Sequence, residues 1–525
     1  VSGGVPAGSL GRAGAVTLLG VEGHVVGVEA HLAQGLPAFI LVGLPDAALS
    51  ESRDRVRAAV VNSGIGWPNR RITVSLVPAS LPKGGSHFDL PVACAVLAAA
   101  GVVPQGALDG AVLLGELGLD GRVRPVRGVL PAVLAAAAGG ARRVVVPAGN
   151  AREAALVPDV EVVPVRTLGA LVGLLRGERA AEPGQGPEEP APEGAGAGKD
   201  LSDVLGQPEG RAALEVCAAG GHHLFLLGPP GAGKTMLAER LPGLLPELDR
   251  EAALEVSAIH SVAGTLPPGA PLVRRPPFED PHHSATAAAV VGGGSGMPRP
   301  GAISLAHRGV LLLDEAPEFA RPVLDALRQP LESGVVVVRR AAGAARYPAR
   351  FQLVLAANPC PCGLSGGSRE QDLRCRCSPH ARLRYVGKLS GPLLDRVDLR
   401  VRVPPVARGA LLEDAAVEGT AVVRERVLAA RERALHRLRA LDLSAPPRTN
   451  AEVPGPVLRR RWAVPEPVVR LLDQHLQRGT LSARGLDRVL RVAWTLADLA
   501  GRDVVGPDDV LTAVLWRETS TAGAA

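Results

Sequence analysis

The chain has 525 residues, 46% of them hydrophobic but only 2% aromatic, so about three domains are expected with Ala, Val and Leu filling their cores. Apolar runs such as 91–104 fall short of the ~18–20 residues of a membrane span, and the first residues lack a charged segment leading into an unbroken apolar one; no membrane or secretory role is expected, and a cytoplasmic location is the default. The formal charge of +6, carried by 54 arginines and four lysines, favours polyanionic partners without identifying one.

Up to residue 177, short β-like runs at 38–42, 71–77, 111–114 and 143–147 alternate with Ala/Leu/Val-rich helical stretches, which predicts an α/β domain. Residues 178–200 are rich in Pro, Gly, Ala and Glu without apolar periodicity and are expected to be a flexible acidic linker. Behind it, apolar runs at 224–227, 310–313 and 353–356 have the continuous character of buried parallel strands. Past residue 405 the pattern becomes helical, with 3.6-residue spacing over 413–439, 467–477 and 483–500. The tail 420–525 carries 17 Arg against 12 Asp and Glu.

The first of these strands runs into Gly228-Pro229-Pro230-Gly231-Ala232-Gly233-Lys234-Thr235, a complete G-x-x-x-x-G-K-[ST] phosphate loop that opens a helix. In such a loop successive backbone N–H groups and the positive helix end attract phosphate oxygens. Lys234 is expected to bridge the β- and γ-phosphates of ATP, and the Thr235 hydroxyl to hold Mg²⁺. Some 80 residues on, Val310-Leu311-Leu312-Leu313 ends in Asp314 and Glu315. Asp314 at the strand end suits Mg²⁺, and Glu315 suits the polarisation of an attacking water. A further strand ends at Asn358, an amide placed to sense the γ-phosphate. Arg396 follows in Ser390-Gly391-Pro392-Leu393-Leu394-Asp395-Arg396, and Arg484 opens a late helix.

Two runs around Gly343 predict a β-hairpin with a basic tip. It resembles the hairpin that projects into the pore of related ring helicases, a likeness that makes Arg339, Arg340 and Arg346 candidates for DNA-backbone contacts, with a merely solvated hairpin as the alternative. Cys360, Cys362, Cys375 and Cys377 form C-x-C-x₁₂-C-x-C, a set of thiolates suited to a closed structural Zn²⁺ site, with free thiols as the alternative. Cys94 and Cys217 stand alone in apolar surroundings and are expected to be core thiols. For His282-His283 a structural or subunit-contact role is expected rather than a metal pair, since adjacent histidines rarely share one ion.

In order and type these motifs resemble the AAA+ family: Walker A, Walker B, sensor 1 (Asn358), arginine finger (Arg396) and sensor 2 (Arg484). The resemblance implies a ring, expected to be a homohexamer, in which the finger of one subunit serves its neighbour. Ile259-His260-Ser261-Val262-Ala263-Gly264, Pro281-His282-His283-Ser284, Gly292-Gly293-Gly294, Pro298-Arg299-Pro300-Gly301 and Ile303-Ser304-Leu305-Ala306-His307 narrow it further. They look like the magnesium-chelatase-like branch and most closely the ComM/YifB family, over nearly the whole chain. One departure is that Glu279 and Asp280 stand in a segment, 276–281, where that branch commonly carries arginines.

In the first domain, Pro82-Lys83-Gly84-Gly85-Ser86-His87-Phe88-Asp89 and Gly115-Glu116-Leu117-Gly118-Leu119-Asp120-Gly121-Arg122-Val123 resemble the Lon protease domain, an S5-like fold. Aligned without gaps, His87 stands where the serine nucleophile belongs and Leu130 where the lysine base belongs. Ser86 is one residue off, and Lys83 lies in the preceding loop; the expectation is a retained fold without peptidase chemistry.

The expected architecture is therefore an inactive Lon-like α/β domain (1–177), a linker (178–200), a P-loop AAA+ α/β core with a parallel sheet (201–405) and a C-terminal helical lid (406–525). The family implies a DNA motor driving branch migration in recombination, on single-stranded or branched DNA. The alternatives are a magnesium-chelatase-type ATPase subunit or a protein-remodelling scaffold.

Overall fold

Two large sheets organise the molecule, one on each side of the expected linker. The computed structural model describes residues 9–43, 49, 51–178, 199–267, 271–294, 298–340, 343–365, 369–406, 417–441, 443, 446–461 and 464–518. Most of the expected linker, 179–198, lies outside the described residues.

The first sheet is mixed and seven-stranded, in the order Ala38–Val42, Arg71–Val77, Glu22–Ala33, Ser9–Leu19, Ala111–Leu113, Arg143–Pro147, Glu161–Val165. The four predicted runs are strands, but the two longest strands, Ser9–Leu19 and Glu22–Ala33, escaped the sequence reading. They carry Gly11, Gly14, Gly23 and Gly27, which blur the apolar alternation. A Cβ on Gly11 would lie 2.2 Å from the carbonyl oxygen of Ala95, so the glycine lets the helix Asp89–Ala99 lie directly on the sheet.

The second sheet is wholly parallel, in the order Phe278–Glu279, Val310–Leu313, Gln352–Ala357, Leu224–Leu227, Leu399–Arg402. Leu224, Leu226, Leu312, Val354 and Ala356 pack on one face, together with the C-terminal helices. Phe225, Leu311, Leu313, Leu353 and Leu355 pack on the other. Both faces being covered explains the continuous apolar runs. A parallel sheet also collects its loops at the carboxyl ends of the strands, where the phosphate loop, Asp314 and Asn358 all emerge.

The predicted C-terminal helices are Thr420–Arg439, Glu466–Gln477 and Ala483–Leu499, followed by Pro507–Glu518. The start predicted for the first of them falls partly on 407–416, outside the described residues. Their apolar stripes continue the core of the parallel sheet, with Trp494 and Ala497 buried beside Cys217 and Leu224. Among the described residues no helix is long and apolar enough to cross a membrane.

The two sheets meet through side chains. Leu130, on the helix Val129–Ala138, is buried in one cluster with Ala258 of the helix Arg250–Ala263. Buried Glu153 accepts the Leu130 amide at 2.8 Å and the hydroxyl of Ser261 on that second helix.

Candidate nucleotide-binding site

The phosphate loop leaves the strand Leu224–Leu227 and enters the helix Lys234–Leu244. Gly233 caps that helix at φ +91°, a conformation that costs an L side chain and suits glycine. Gln207 holds the loop from behind, donating to the carbonyls of Ala232 (3.0 Å) and Pro404 (2.6 Å).

Lys234 Nζ donates to the carbonyls of Gly228 (2.8 Å) and Pro229 (2.9 Å) and to Asn358 Oδ1 (3.1 Å). Burial lowers the pKa of this ammonium, while the charges of Asp314 and Glu315 oppose that shift. Thr235 Oγ1 donates to Asp314 Oδ2 at 2.6 Å, and the other Asp314 oxygen accepts the Glu315 amide at 2.8 Å. A hydroxyl and a carboxylate oxygen are thus paired where Mg²⁺ would be held, an oxygen-ligand set that fits this hard cation. Five sequence-predicted residues, Lys234, Thr235, Asp314, Glu315 and Asn358, converge here.

Glu315 sits at φ +50°, rare for a residue with a Cβ. Its Oε2 lies 3.2 Å from His283 Nδ1. The neighbouring His282 ring packs against His283 at a tilt of 34°, with centroids 4.1 Å apart, and bonds Ser284 Oγ at 2.7 Å. The sequence predicts a structural or subunit-contact role for His283, and its contact with Glu315 escaped that reading because 32 residues separate the two and no spacing rule joins them. The edge strand before His283, Phe278–Glu279, ends in Glu279 and is followed by Asp280. Burial pushes the Glu279 carboxyl up to about 7, and burial, then Asp314 and Glu239, raise that of Asp280.

The other family-like histidines have structural partners. His307 reaches Glu255 through Nε2 (3.1 Å) and accepts the Arg350 amide on Nδ1 (3.0 Å), while His260 Nε2 bonds the carbonyl of Leu305 (3.2 Å). These bonds knit the helix Arg250–Ala263 to the segment leading into the Asp314 strand.

Arg396 and Arg484 do not join this cluster. Arg396 donates to the carbonyl of Pro392 (2.6 Å) and pairs with Glu332. Arg484 is exposed at the start of its helix, capped by Ser482, which accepts the Gly485 amide at 3.1 Å. Gly485 faces Arg517, whose guanidinium donates to Asp395 (2.9 Å), the residue before Arg396. One turn on, Arg488 pairs with buried Asp398 at 2.6 Å. All these contacts gather at the amino end of the strand Leu399–Arg402, whereas the phosphate loop leaves the carboxyl end of its parallel neighbour. A cavity of about 1120 Å³ opens at the same amino end, lined in part by His223, Gln352, Asp398 and Arg491, and is separate from the phosphate loop.

The four clustered cysteines converge, their sulfurs all within 4.8 Å of one another. Cys360 Sγ lies 3.4 Å from Cys362 and 3.8 Å from Cys375, and Cys362 lies 3.4 Å from Cys375. Four sulfurs about 2.3 Å from a tetrahedral Zn²⁺ stand about 3.8 Å apart, so this donor set fits the ion. Cys94 and Cys217 are buried core thiols, and burial raises both.

The hairpin Val335–Arg340 and Gly343–Pro348 buries Val336, Val338, Ala345 and Tyr347, and leaves Arg339, Arg340 and Arg346 exposed. Its backbone pairs Arg346 with Gly20 of the first domain. In that domain Ser86 gives its hydroxyl to Glu116, His87 Nε2 bonds the carbonyl of Val16 (3.0 Å), and buried Lys83 gives its ammonium to the carbonyl of Pro78.

Comparison with known proteins places the chain in a family. Residues 200–411 match the family described as magnesium chelatase, subunit ChlI, residues 28–150 the subunit ChlI of Mg-chelatase, and residues 417–517 the C-terminal part of that subunit. A Mycobacterium tuberculosis protein is 55% identical over 511 residues, covering 97% of this chain and 99% of its own length. YifB of Escherichia coli is 42% identical over 503 residues, 95% of each chain. Competence protein ComM of Haemophilus influenzae is 41% identical over 502 residues, 95% of this chain and 96% of its own. A Lon protease of Rhizobium meliloti is similar over 164 residues at 28% identity, 29% of this chain and 20% of its own. The chain belongs to the ComM/YifB family of magnesium-chelatase-type AAA+ ATPases, with a Lon-like N-terminal region.

Proposed function

We propose that this chain is a cytoplasmic, homohexameric ring motor that hydrolyses ATP and drives branch migration of DNA during recombination. The observation that carries the ATPase is the convergence of Lys234 with Asn358 and of Thr235 with Asp314. In this reading the backbone of residues 228–235 would cradle the phosphates, and Thr235 and Asp314 would hold Mg²⁺, which when bound would supply charge neutralisation for the phosphates. Glu315, oriented by His283, accepts a proton from the attacking water. Asn358 contacts the γ-phosphate and exchanges its bond to Lys234 for one to the nucleotide.

Arg396 and Arg484 serve the pocket of a neighbouring subunit, because both lie at the end of the sheet remote from their own phosphate loop. Such an arginine stabilises charge on the transferred phosphoryl and is worth about 10³–10⁵ in rate. The Lon-like domain has no peptidase activity in this reading. Leu130, which takes the lysine position, cannot accept a proton and is sealed against the helix Arg250–Ala263. The four clustered thiols hold a structural Zn²⁺ with no open coordination position.

DNA as the substrate is supported by the exposed arginine hairpin and by the similarity to a competence protein. Turnover measured across single-stranded, forked and four-way DNA tests it. Branched DNA is expected to stimulate ATP hydrolysis, and replacing Arg339 and Arg346 by Ala to lower the salt slope of binding by about one unit per lost phosphate contact. Neither binding nor stimulation at low salt would turn the reading toward the second possibility, a chelatase-type or protein-remodelling ATPase. The family description of residues 200–411 favours that alternative.

A further inference from the structure

The thiol cluster lies against the nucleotide site. Cys360 follows Asn358 by two residues, and the Gly363 amide turns back onto the carbonyl of Cys360 at 2.9 Å. That turn gives Gly363 a φ of +77° and presses it on the phosphate loop, where a Cβ would come within 2.5 Å of Pro230 Cγ and 3.9 Å of Asn358 Cγ. Pro230 is the third residue of the phosphate loop, and Asn358 holds Lys234. One short turn of chain, carrying Cys360 and Cys362, thus backs the loop that would carry the phosphates.

The cluster also contacts a neighbouring helix. Ser378, directly after Cys377, caps the helix Pro379–Val386 by accepting the Ala381 amide at 3.2 Å. From that helix Arg382 donates to Cys375 Sγ at 3.5 Å and to the carbonyl of Cys377 at 3.2 Å. A guanidinium beside these sulfurs would offset the negative charge of a four-thiolate site. Tyr385 of the same helix is buried beside Glu318, Glu315 and Cys360. The cluster therefore joins three elements of the site: the Asn358 strand end, the phosphate loop and the helix beside Glu315.

We propose that metal occupancy of Cys360, Cys362, Cys375 and Cys377 controls nucleotide binding, the loaded cluster holding Gly363 against Pro230 and Asn358 toward Lys234. This rests on the reading of the thiols as a Zn²⁺ site and of the phosphate loop as an ATPase. Without the ion, the turn loses its cross-links to the 375–377 segment, because the site's binding energy is also the ordering energy of the loop that forms it. The phosphate loop then loses its backing, and affinity for nucleotide falls before any catalytic step is reached.

The test uses the full chain. Zinc per chain, binding of a fluorescent ATP analogue and ATP turnover are measured before chelation, after mild chelation, and after addition of Zn²⁺ or Co²⁺. The expected result is about one zinc per chain, a loss of nucleotide affinity of about tenfold or more on its removal, and recovery on reloading. Cobalt-loaded protein should show thiolate-to-metal charge-transfer absorption. A second variant, Gly363→Ala, should keep its zinc yet bind nucleotide more weakly, separating the contact from the metal. Zinc-free protein that binds nucleotide with undiminished affinity overturns the coupling while the metal site stands. Failure to take up zinc or cobalt overturns the metal reading and leaves an ATPase. Zinc-replete protein that binds no nucleotide overturns the ATPase reading, and the coupling with it.

Discussion

Lys234 and Asn358, 124 residues apart, meet at 3.1 Å across two neighbouring parallel strands, the ammonium donating to the amide oxygen. The bond ties the residue expected to bind phosphate to the residue expected to report on it. Two substitutions separate the roles. Lys234→Ala removes the cation itself, and both nucleotide binding and turnover should be lost. Asn358→Ala should retain binding within a few-fold while kcat falls by about 10²–10³, the usual cost of removing one polar group aimed at developing charge. Equilibrium binding of an ATP analogue, set beside steady-state hydrolysis, distinguishes the two. Equal loss of binding in both variants would remove the sensing role.

His283 and Glu315 give a second separation. Glu315→Gln keeps the shape of the side chain but cannot accept a proton, so ATP should bind and persist unhydrolysed. His283→Ala removes the ring 3.2 Å from the carboxylate without touching the phosphate loop. Misorientation of a catalytic group costs rate rather than binding, so kcat should fall about tenfold with KM little changed. His283→Gln, which can still donate a hydrogen bond, should recover part of the loss. An unchanged kcat in His283→Ala would reduce the contact to packing.

Local readings of the sequence anticipate the position of residues best where a motif is contiguous. The phosphate loop, the Asp314-Glu315 pair and the cysteine pairs each lie within a few residues of the strand or turn that positions them, and a parallel sheet delivers its strand ends to one edge. The two glycine-punctuated strands Ser9–Leu19 and Glu22–Ala33 hid because glycine removes the side chains whose alternation signals a strand. The pairing of His283 with Glu315 and the contact of Glu153 with Ser261 depend on how distant segments pack, which no periodicity encodes. Arg484 illustrates the limit well. Its helix was legible from apolar spacing, but the pairing of Arg488 with Asp398 on that helix, and of Arg517 on the next helix with Asp395, joins segments 90 and 122 residues apart and leaves no trace in local spacing.

Glu279 makes stability depend on pH in a defined direction. Burial raises its carboxyl from 4.5 to about 7, so between these values the folded chain binds a proton that the unfolded chain has released. Stability therefore falls as pH rises through this window and levels off above it, by at most about 3 kcal/mol from a shift of this size. Glu279→Gln is neutral at every pH and should flatten that part of the profile, raising the melting temperature near pH 8 more than near pH 5. Thermal melting of both proteins across this range decides it. Parallel profiles would show that the carboxyl is as well solvated folded as unfolded.

Arg396 offers the most direct test of a shared pocket. Within its own subunit it is paired with Glu332 and bonded to the carbonyl of Pro392, at the end of the sheet away from Lys234. If it completes a neighbour's site, Arg396→Ala and Glu315→Gln damage opposite halves of each interface. Each variant alone should lose about 10³-fold or more in turnover. Mixed rings contain some interfaces where an intact Glu315 from one subunit faces an intact Arg396 from the next, so mixing two nearly inactive proteins should restore measurable hydrolysis. A site contained within one subunit gives no such recovery, because every subunit in the mixture carries one lesion. Glu332→Gln should act oppositely to Arg396→Ala, since it releases the arginine from its resting partner and should raise turnover of the assembled ring. Absence of recovery in mixtures shown to co-assemble would place the role of Arg396 within its own subunit.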